Sequence, residues 1–256
     1  MKRLIAAAAS LAAAALLPAL PALPALPAGP QALTADEVID RLEKNVVFDT
    51  ARSVGSMVVR DRFGERESTF VSWARGEETA LVEFTSAEER GMKILRTSDE
   101  IYLYYPDAAE LIRLQGAALR DAVLGSDVSY EDMTGGKGLR KSYRVTLEGV
   151  EAVDGHPCYR IGLEAIRRDV PYYRQTLWVD TGIFVHRRVH KFARSGALLK
   201  EIEVGEIRRI SGRNVATRMT LRDSLKRGSS TTFAISEIEI DRPLPAQIFS
   251  LGELTW

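Results

Sequence analysis

From residue 143 to residue 240 the chain alternates apolar and polar residues in run after run, and each run ends in a tight-turn signal. The runs cover residues 143–148, 158–164, 174–180, 184–192, 199–210, 215–223 and 231–240. Between them stand Val153-Asp154-Gly155, Asp180-Thr181-Gly182, Arg194-Ser195-Gly196, Ser211-Gly212 and Arg227-Gly228. A period of two is the signature of a half-buried strand. Shorter runs precede these at 54–60, 69–75, 80–85, 93–97 and 100–105, the last stopped by Pro106. No helix-length segment separates most of these runs, so the strands form an antiparallel meander. In the run 199–210, Ile202, Val204 and, after Gly205, Ile207 alternate with Glu201, Glu203 and Glu206. Each strand therefore buries one face, and the sheet needs a cover.

Helical cover is scarce. Thr34-Ala35-Asp36-Glu37 is a capping box, and Ala35, Val38, Ile39 and Leu42 share a helical face, which predicts a helix over 35–44. The segment 107–141 predicts a short helix, a break, and a second turn capped by Ser129 with Asp132 three residues on. Its glycines at 125, 135, 136 and 138 allow a hinge; a plain connector with two helical turns fits the same pattern. Sheet area then exceeds helix area. The expected architecture is mainly β: a closed barrel, or a curled half-barrel with a hollow under a few short helices. Candidate walls of that hollow are Trp73, Phe84, Met92, Ile94, Tyr102, Tyr104, Leu119, Leu124 and Trp178, for whose aromatics ordinary core is the competing role.

The first 32 residues hold no acid, open with Lys2 and Arg3, and continue apolar from Leu4 to Leu17. That is the layout of a secretory signal. Pro18, Pro21, Pro24 and Pro27 break the run too early for a spanning helix. The expectation is a signal peptide over 1–32, cut between Ala25 and Ala32, then one domain over 33–256. Beyond the signal, 33 basic residues face 35 acidic ones, a balance that points neither to nucleic acid nor to strong steering onto an anionic surface. Cys158 is the one cysteine, so the exported chain has no internal disulfide and no N-terminal lipidation site.

Residues able to do chemistry are few. The three histidines are His156, His186 and His190. The last two are four apart on a predicted strand, which puts them on one face, but no third ligand accompanies them. His156 and Cys158 lead from a turn into a strand, and the reading places them on different faces. There is no Gly-x-Ser-x-Gly elbow, and Gly135-Gly136-Lys137-Gly138 lacks the spacing of a phosphate loop. The reading is a non-enzyme with no metal and no cofactor.

Several stretches resemble the outer-membrane lipoprotein-sorting proteins, the LolA/LolB-like superfamily. They are Glu83-Phe84-Thr85 with Gly91-Met92-Lys93-Ile94-Leu95, then Tyr104-Tyr105-Pro106-Asp107. Next come Leu124-Gly125-Ser126-Asp127-Val128-Ser129-Tyr130-Glu131-Asp132 and Val153-Asp154-Gly155-His156-Pro157-Cys158-Tyr159. Tyr173, Trp178-Val179-Asp180, residues 196–200, and Leu244-Pro245 before Phe249 complete the set.

The resemblance implies an unclosed antiparallel half-barrel of about eleven strands with helices as a lid. It implies a periplasmic carrier that shields acyl chains of a lipoprotein or membrane lipid and moves them toward the outer membrane. Gly125, Ser126, Asp127, Tyr130, Glu131 and Asp132 are then lid residues. Partners would be an exporter of the RND/MMPL type or an inner-membrane releasing complex, with transient membrane contact and no nucleic acid. In the lipoprotein carrier one arginine holds the lid closed; here Arg60 and Arg75 are candidates by strand position. The alternative is a non-catalytic periplasmic interaction or sensor module.

Overall fold

The computed structural model describes residues 33–97, 100–133, 138–168 and 170–255. The proposed signal segment, 1–32, and Gly135 and Gly136 of the proposed hinge lie outside the described residues.

Helix α1 spans Ala35–Val46 and starts at the capping box: the Glu37 amide donates to Thr34 Oγ1, and the Glu37 carboxylate accepts from the Thr34 amide. It ends at Val47, in extended geometry, and Asn45 ties it to a distant turn by donating to the Ile183 and Phe184 carbonyls. Its stripe of Val38, Ile39 and Leu42 is fully buried. Burying three such side chains contributes ~2 kcal/mol each, more than helix propensity alone supplies.

The strands are β1 Thr50–Asp61, β2 Gly64–Arg75, β3 Thr79–Phe84, β4 Lys93–Arg96, β5 Ile101–Tyr105 and β6 Glu110–Leu114. They continue as β7 Tyr143–Val153, β8 His156–Ala165, β9 Arg174–Asp180, β10 His186–Phe192, β11 Leu198–Ile210, β12 Arg213–Asp223 and β13 Ser230–Ile240. All pair antiparallel in a single sheet of order β6-β5-β4-β3-β2-β1-β13-β12-β11-β10-β9-β8-β7. Two meanders thus meet at the β1–β13 pair, where Arg60 faces Ser230. β6 and β7 form the two edges, so the sheet is a curled, unclosed half-barrel.

The described residues form thirteen strands, against the about eleven that the resemblance implies and the twelve runs read from the sequence. The extra strand absent from the sequence reading is β6, inside the segment expected to be helical. Glu110-Leu111-Ile112-Arg113-Leu114 alternates poorly, and as an edge strand β6 is ordered by pairing on one side only, to β5. The rest of that segment contains 3-10 turns at 116–120 and 123–125, and the short helices α2 Tyr130–Met133 and α3 Leu139–Ser142.

The inner face carries two apolar clusters. One joins α1 to Tyr143, Ile161, Leu163, Leu177, Val179 and Val189. The other joins Met57, Val59, Phe70, Phe84, Met92, Ile94, Ile101 and Leu103 of β1–β5 and the β3–β4 turn to Val123, Val128 and Tyr130 of the crossing segment. On the outer face of β3 and β4, Leu81 and Leu95 pack on Leu254 of α4, Leu251–Leu254. Lys93 holds that helix by donating to the Glu253 carbonyl at 3.1 Å.

A bulge in β10 sets His186 opposite Val179 and His190 opposite Thr176, an odd spacing on β9. The two histidines therefore fall on opposite faces, not on one. His156 and Cys158 are two apart on β8 and share a face, again contrary to expectation. The Cys158 thiol is buried and donates to the His156 carbonyl at 3.4 Å; the His156 ring instead stands 3.8 Å from Asp180.

Candidate functional site: the inner hollow and its clamped cover

Between β1–β6 and the crossing segment the inner face of the sheet is packed with aliphatic, Met and Phe side chains. Val82, Tyr105, Ile112, Leu114, Leu119, Leu124, Met133, Met219, Phe233 and Ile235 form a half-buried fringe around the buried centre. Cover comes from single turns. Leu124 (φ +49°) and Gly125 (φ +73°) are both left-handed, which folds the chain back. That conformation costs a leucine about 1 kcal/mol, an expense a glycine avoids.

Residues 125–132 are fixed to the sheet by buried polar bonds. The Asp127 carboxylate accepts from Thr231 Oγ1 (2.7 Å), Ser229 Oγ (2.9 Å) and the Asp223 amide (3.0 Å). Its own amide donates to Thr231 Oγ1, and its carbonyl accepts from Lys200 Nζ. Lys226 donates to the Gly125 and Ser126 carbonyls. Ser126 and Asp127 have no exposed surface.

The Ser129–Asp132 pair noted in the sequence does meet at the start of α2, but Asp132 is the acceptor: Oδ2 takes the Ser129 amide at 3.0 Å and the Ser129 hydroxyl at 2.9 Å. Asp132 also meets Lys191 Nζ (3.0 Å), Lys200 Nζ (3.2 Å) and the Tyr172 hydroxyl (2.6 Å). Lys200 continues to Asp223 at 3.2 Å. Burial alone would push the Asp132 carboxyl up. The two ammonium groups, the Tyr172 hydroxyl and the Ser129 amide outweigh it and hold Asp132 well below the usual carboxylate range. The Tyr172 hydroxyl moves the opposite way, raised by burial and then by the Asp132 charge. Tyr130 packs within the inner cluster, and burial followed by its Tyr105 neighbour raises its hydroxyl too. Glu131 instead lines a cleft of about 440 Å³ with Arg120, Tyr172, Tyr173 and Arg194.

The nine expected wall residues divide. Phe84, Met92, Ile94, Leu119 and Leu124 belong to the inner cluster. Trp73, Tyr102 and Tyr104 lie on the outer face against the C-terminal segment, and Trp178 packs on Val153 and Cys158. Both arginines considered for the lid are engaged elsewhere among the described residues. Arg60 pairs with Glu65, and Arg75 donates to the Leu244 carbonyl while covering Phe249. Sequence reasoning missed Lys191, Lys200, Tyr172 and Thr231, which anchor the cover.

Among the described residues, no three His, Cys, Asp or Glu side chains converge in a metal-holding group. No helix there is long and apolar enough to cross a membrane.

No curated protein matches the chain by sequence. A family model described as an uncharacterized protein matches residues 76–256. Among solved structures, a DUF1329 family protein from Desulfovibrio piger superposes with a TM-score of 0.80 at 21% identity, over 86% of this chain and 97% of that one. A domain assigned to outer membrane lipoprotein sorting, from Vibrio parahaemolyticus, gives 0.78 at 17% identity over 87% and 98%. A LolA superfamily protein from Nitrosomonas europaea gives 0.73 at 25% identity over 87% and 100%. The chain therefore belongs to the family of that uncharacterized protein, and its fold is the one shared by these lipoprotein-sorting and LolA superfamily structures.

Proposed function

We propose that the protein is a non-catalytic periplasmic carrier that shields acyl chains of a lipoprotein or membrane lipid in the inner hollow. The observation that supports this is a continuous apolar cluster on the inner face, fringed by half-buried side chains and covered by short turns that an acyl chain would displace. An acyl chain offers only apolar area, and burying it contributes ~0.8 kcal/mol per CH₂ without any polar motif. Chains entering between the sheet and residues 116–120 would replace the contacts of Leu119, while 121–132, joined by the Ala122–Ser129 bridge and clamped to the sheet, stays in place. The signal segment 1–32 would deliver the domain 33–256 to the periplasm. Cargo would pass from an inner-membrane releasing complex or an RND/MMPL-type exporter toward the outer membrane.

One observation favours the alternative, an interaction module. The hollow's centre is filled by the protein's own side chains, with Ile94 and Ile101 buried to 1% and 0% exposure. Uptake of an alkyl-chain fluorophore separates the readings. A carrier gains fluorescence, and Leu119→Arg at the edge of the cover lowers the affinity about tenfold, because a charge in an apolar site costs ~1.4 kcal/mol or more. No uptake by the unsubstituted protein would favour the module.

A further inference from the structure

The strands place three hairpin tips side by side on the rim where residues 125–132 are clamped. They join β1 to β2, β12 to β13, and β10 to β11. The first two present Phe63 and Leu225, each 78% exposed, the most exposed large apolar side chains among the described residues. The same tips, residues 60–66, 193–197 and 224–230, carry Arg60, Arg62, Arg66, Arg194, Lys226 and Arg227 against Asp61 and Glu65. Both acids are already paired, Glu65 with Arg60 at 2.5 Å and Asp61 with Arg66 at 3.2 Å. The tips therefore hold an excess of positive charge. Arg62 lies on the Phe63 ring, 4.7 Å from its centroid, so base and apolar group form one unit. The other half of the rim is opposite in sign. Its turns, residues 85–92 and 106–110, hold Glu88, Glu89, Asp107 and Glu110 against Arg90, and none of the exposed large apolar side chains.

We propose that these three tips dock the protein on an anionic lipid bilayer. Phe63 and Leu225 enter the headgroup layer, and the flanking basic side chains meet lipid phosphates. A protein partner would call for a contiguous apolar patch with charge at its margin. Here two separate apolar side chains project from different hairpins, each beside basic residues, which suits a soft interface with anionic groups at its surface. Lys226 also holds the Gly125 and Ser126 carbonyls, so docking sets the clamped end of the cover against lipid. The inference goes beyond the carrier reading and holds whatever fills the hollow.

Co-sedimentation of the exported, purified protein with vesicles tests it. Vesicles of phosphatidylcholine alone are compared with vesicles containing about 30% phosphatidylglycerol. The expected result is binding about tenfold tighter to the anionic vesicles, weakened severalfold between about 0.1 and 0.5 M salt. Phe63→Ser with Leu225→Ser lowers that binding about tenfold. Leu111→Ser with Val150→Ser, exposed apolar positions on the edge strands β6 and β7, leaves it within about twofold. Absent binding, equal binding to both vesicles, or equal loss in the two double variants would overturn the proposal. Alkyl-fluorophore uptake in vesicle-free buffer, unchanged in the Phe63/Leu225 variant, keeps this outcome separate from that of the carrier reading.

Discussion

Lys191 and Lys200 stand directly opposite each other on β10 and β11, both facing inward, and Asp132 of the crossing segment lies between them. Like charges facing across a ladder repel. Asp132 turns that repulsion into a clamp, with one carboxylate oxygen for each ammonium group. The Tyr172 ring lies 4.6 Å from Lys191 Nζ and closes the site from the side.

Asp132→Asn removes the shared counter-charge and leaves half-buried Lys191 facing buried Lys200, with Asp223 the one acid still paired to Lys200. The expected cost is ~3–5 kcal/mol in urea unfolding at neutral pH. Lys191→Met leaves Lys200 with Asp132 and Asp223, and its cost is smaller, ~1–2 kcal/mol. Equal losses in the two variants would show that the clamp is not centred on Asp132.

The second anchor predicts a hydroxyl effect. Thr231→Val removes the donor to the Asp127 carboxylate and the acceptor for its amide, at nearly constant volume. The expected loss is ~1–3 kcal/mol. Thr220→Val removes a half-buried hydroxyl paired with Thr232 and costs less, ~1 kcal/mol. Thermal melts of the two variants rank the sites directly.

Stability also depends on pH through His186. Burial lowers its ring to about 4 from 6.5, with the Lys191 charge a lesser cause. The unfolded chain therefore binds a proton in this window that the folded chain refuses. Stability is complete above about pH 6.5 and declines as pH falls toward about 4. The Asp132 clamp persists through that window, because its carboxyl is held below the usual range. His186→Gln should flatten the decline in urea midpoint between about pH 6.5 and 4.5. An unchanged slope would place the proton uptake elsewhere.

Cys158 should react slowly with a thiol reagent in the folded protein and quickly in denaturant. It has no exposed surface, and burial followed by the Asp180 charge raises its thiol above the usual range. Labelling at the free-thiol rate under native conditions would mean that β8 opens.

Exchange of backbone deuterium tests the division of the cover. Residues 116–120 are held by a single turn and apolar contacts, whereas 121–132 carry the Ala122–Ser129 bridge and the buried bonds of Asp127 and Asp132. Loading with an acyl ligand should change exchange in the first stretch and leave the second protected. Uniform change across both would mean that the clamp releases.

Twelve strands and α1 were legible because their signals are local: alternation, turn residues, and the Thr34–Glu37 box. The thirteenth, β6, carries little alternation and depends on its neighbour. Which face of the sheet the crossing segment covers was not legible. Ile101-Tyr102-Leu103-Tyr104 alternates plainly, but that the leucine face meets the crossing segment is decided by where distant chain packs. The tyrosine face meets Leu254 and Phe249, some 150 residues later. The clamp left one trace. Lys200 shares the parity of Ile202 and Val204, and Lys191 that of Val189, so two lysines occupy apolar-face positions. A buried lysine requires a partner, though only the fold identifies Asp132 as that partner.

The central claim is that the hollow carries acyl chains. Native mass spectrometry of the protein purified after export, followed by extraction and identification of bound lipid, tests it most directly. The account predicts a bound acyl-bearing species, lost or reduced in Leu119→Arg. A protein that is empty as isolated, and still empty after incubation with total membrane lipid, would contradict it.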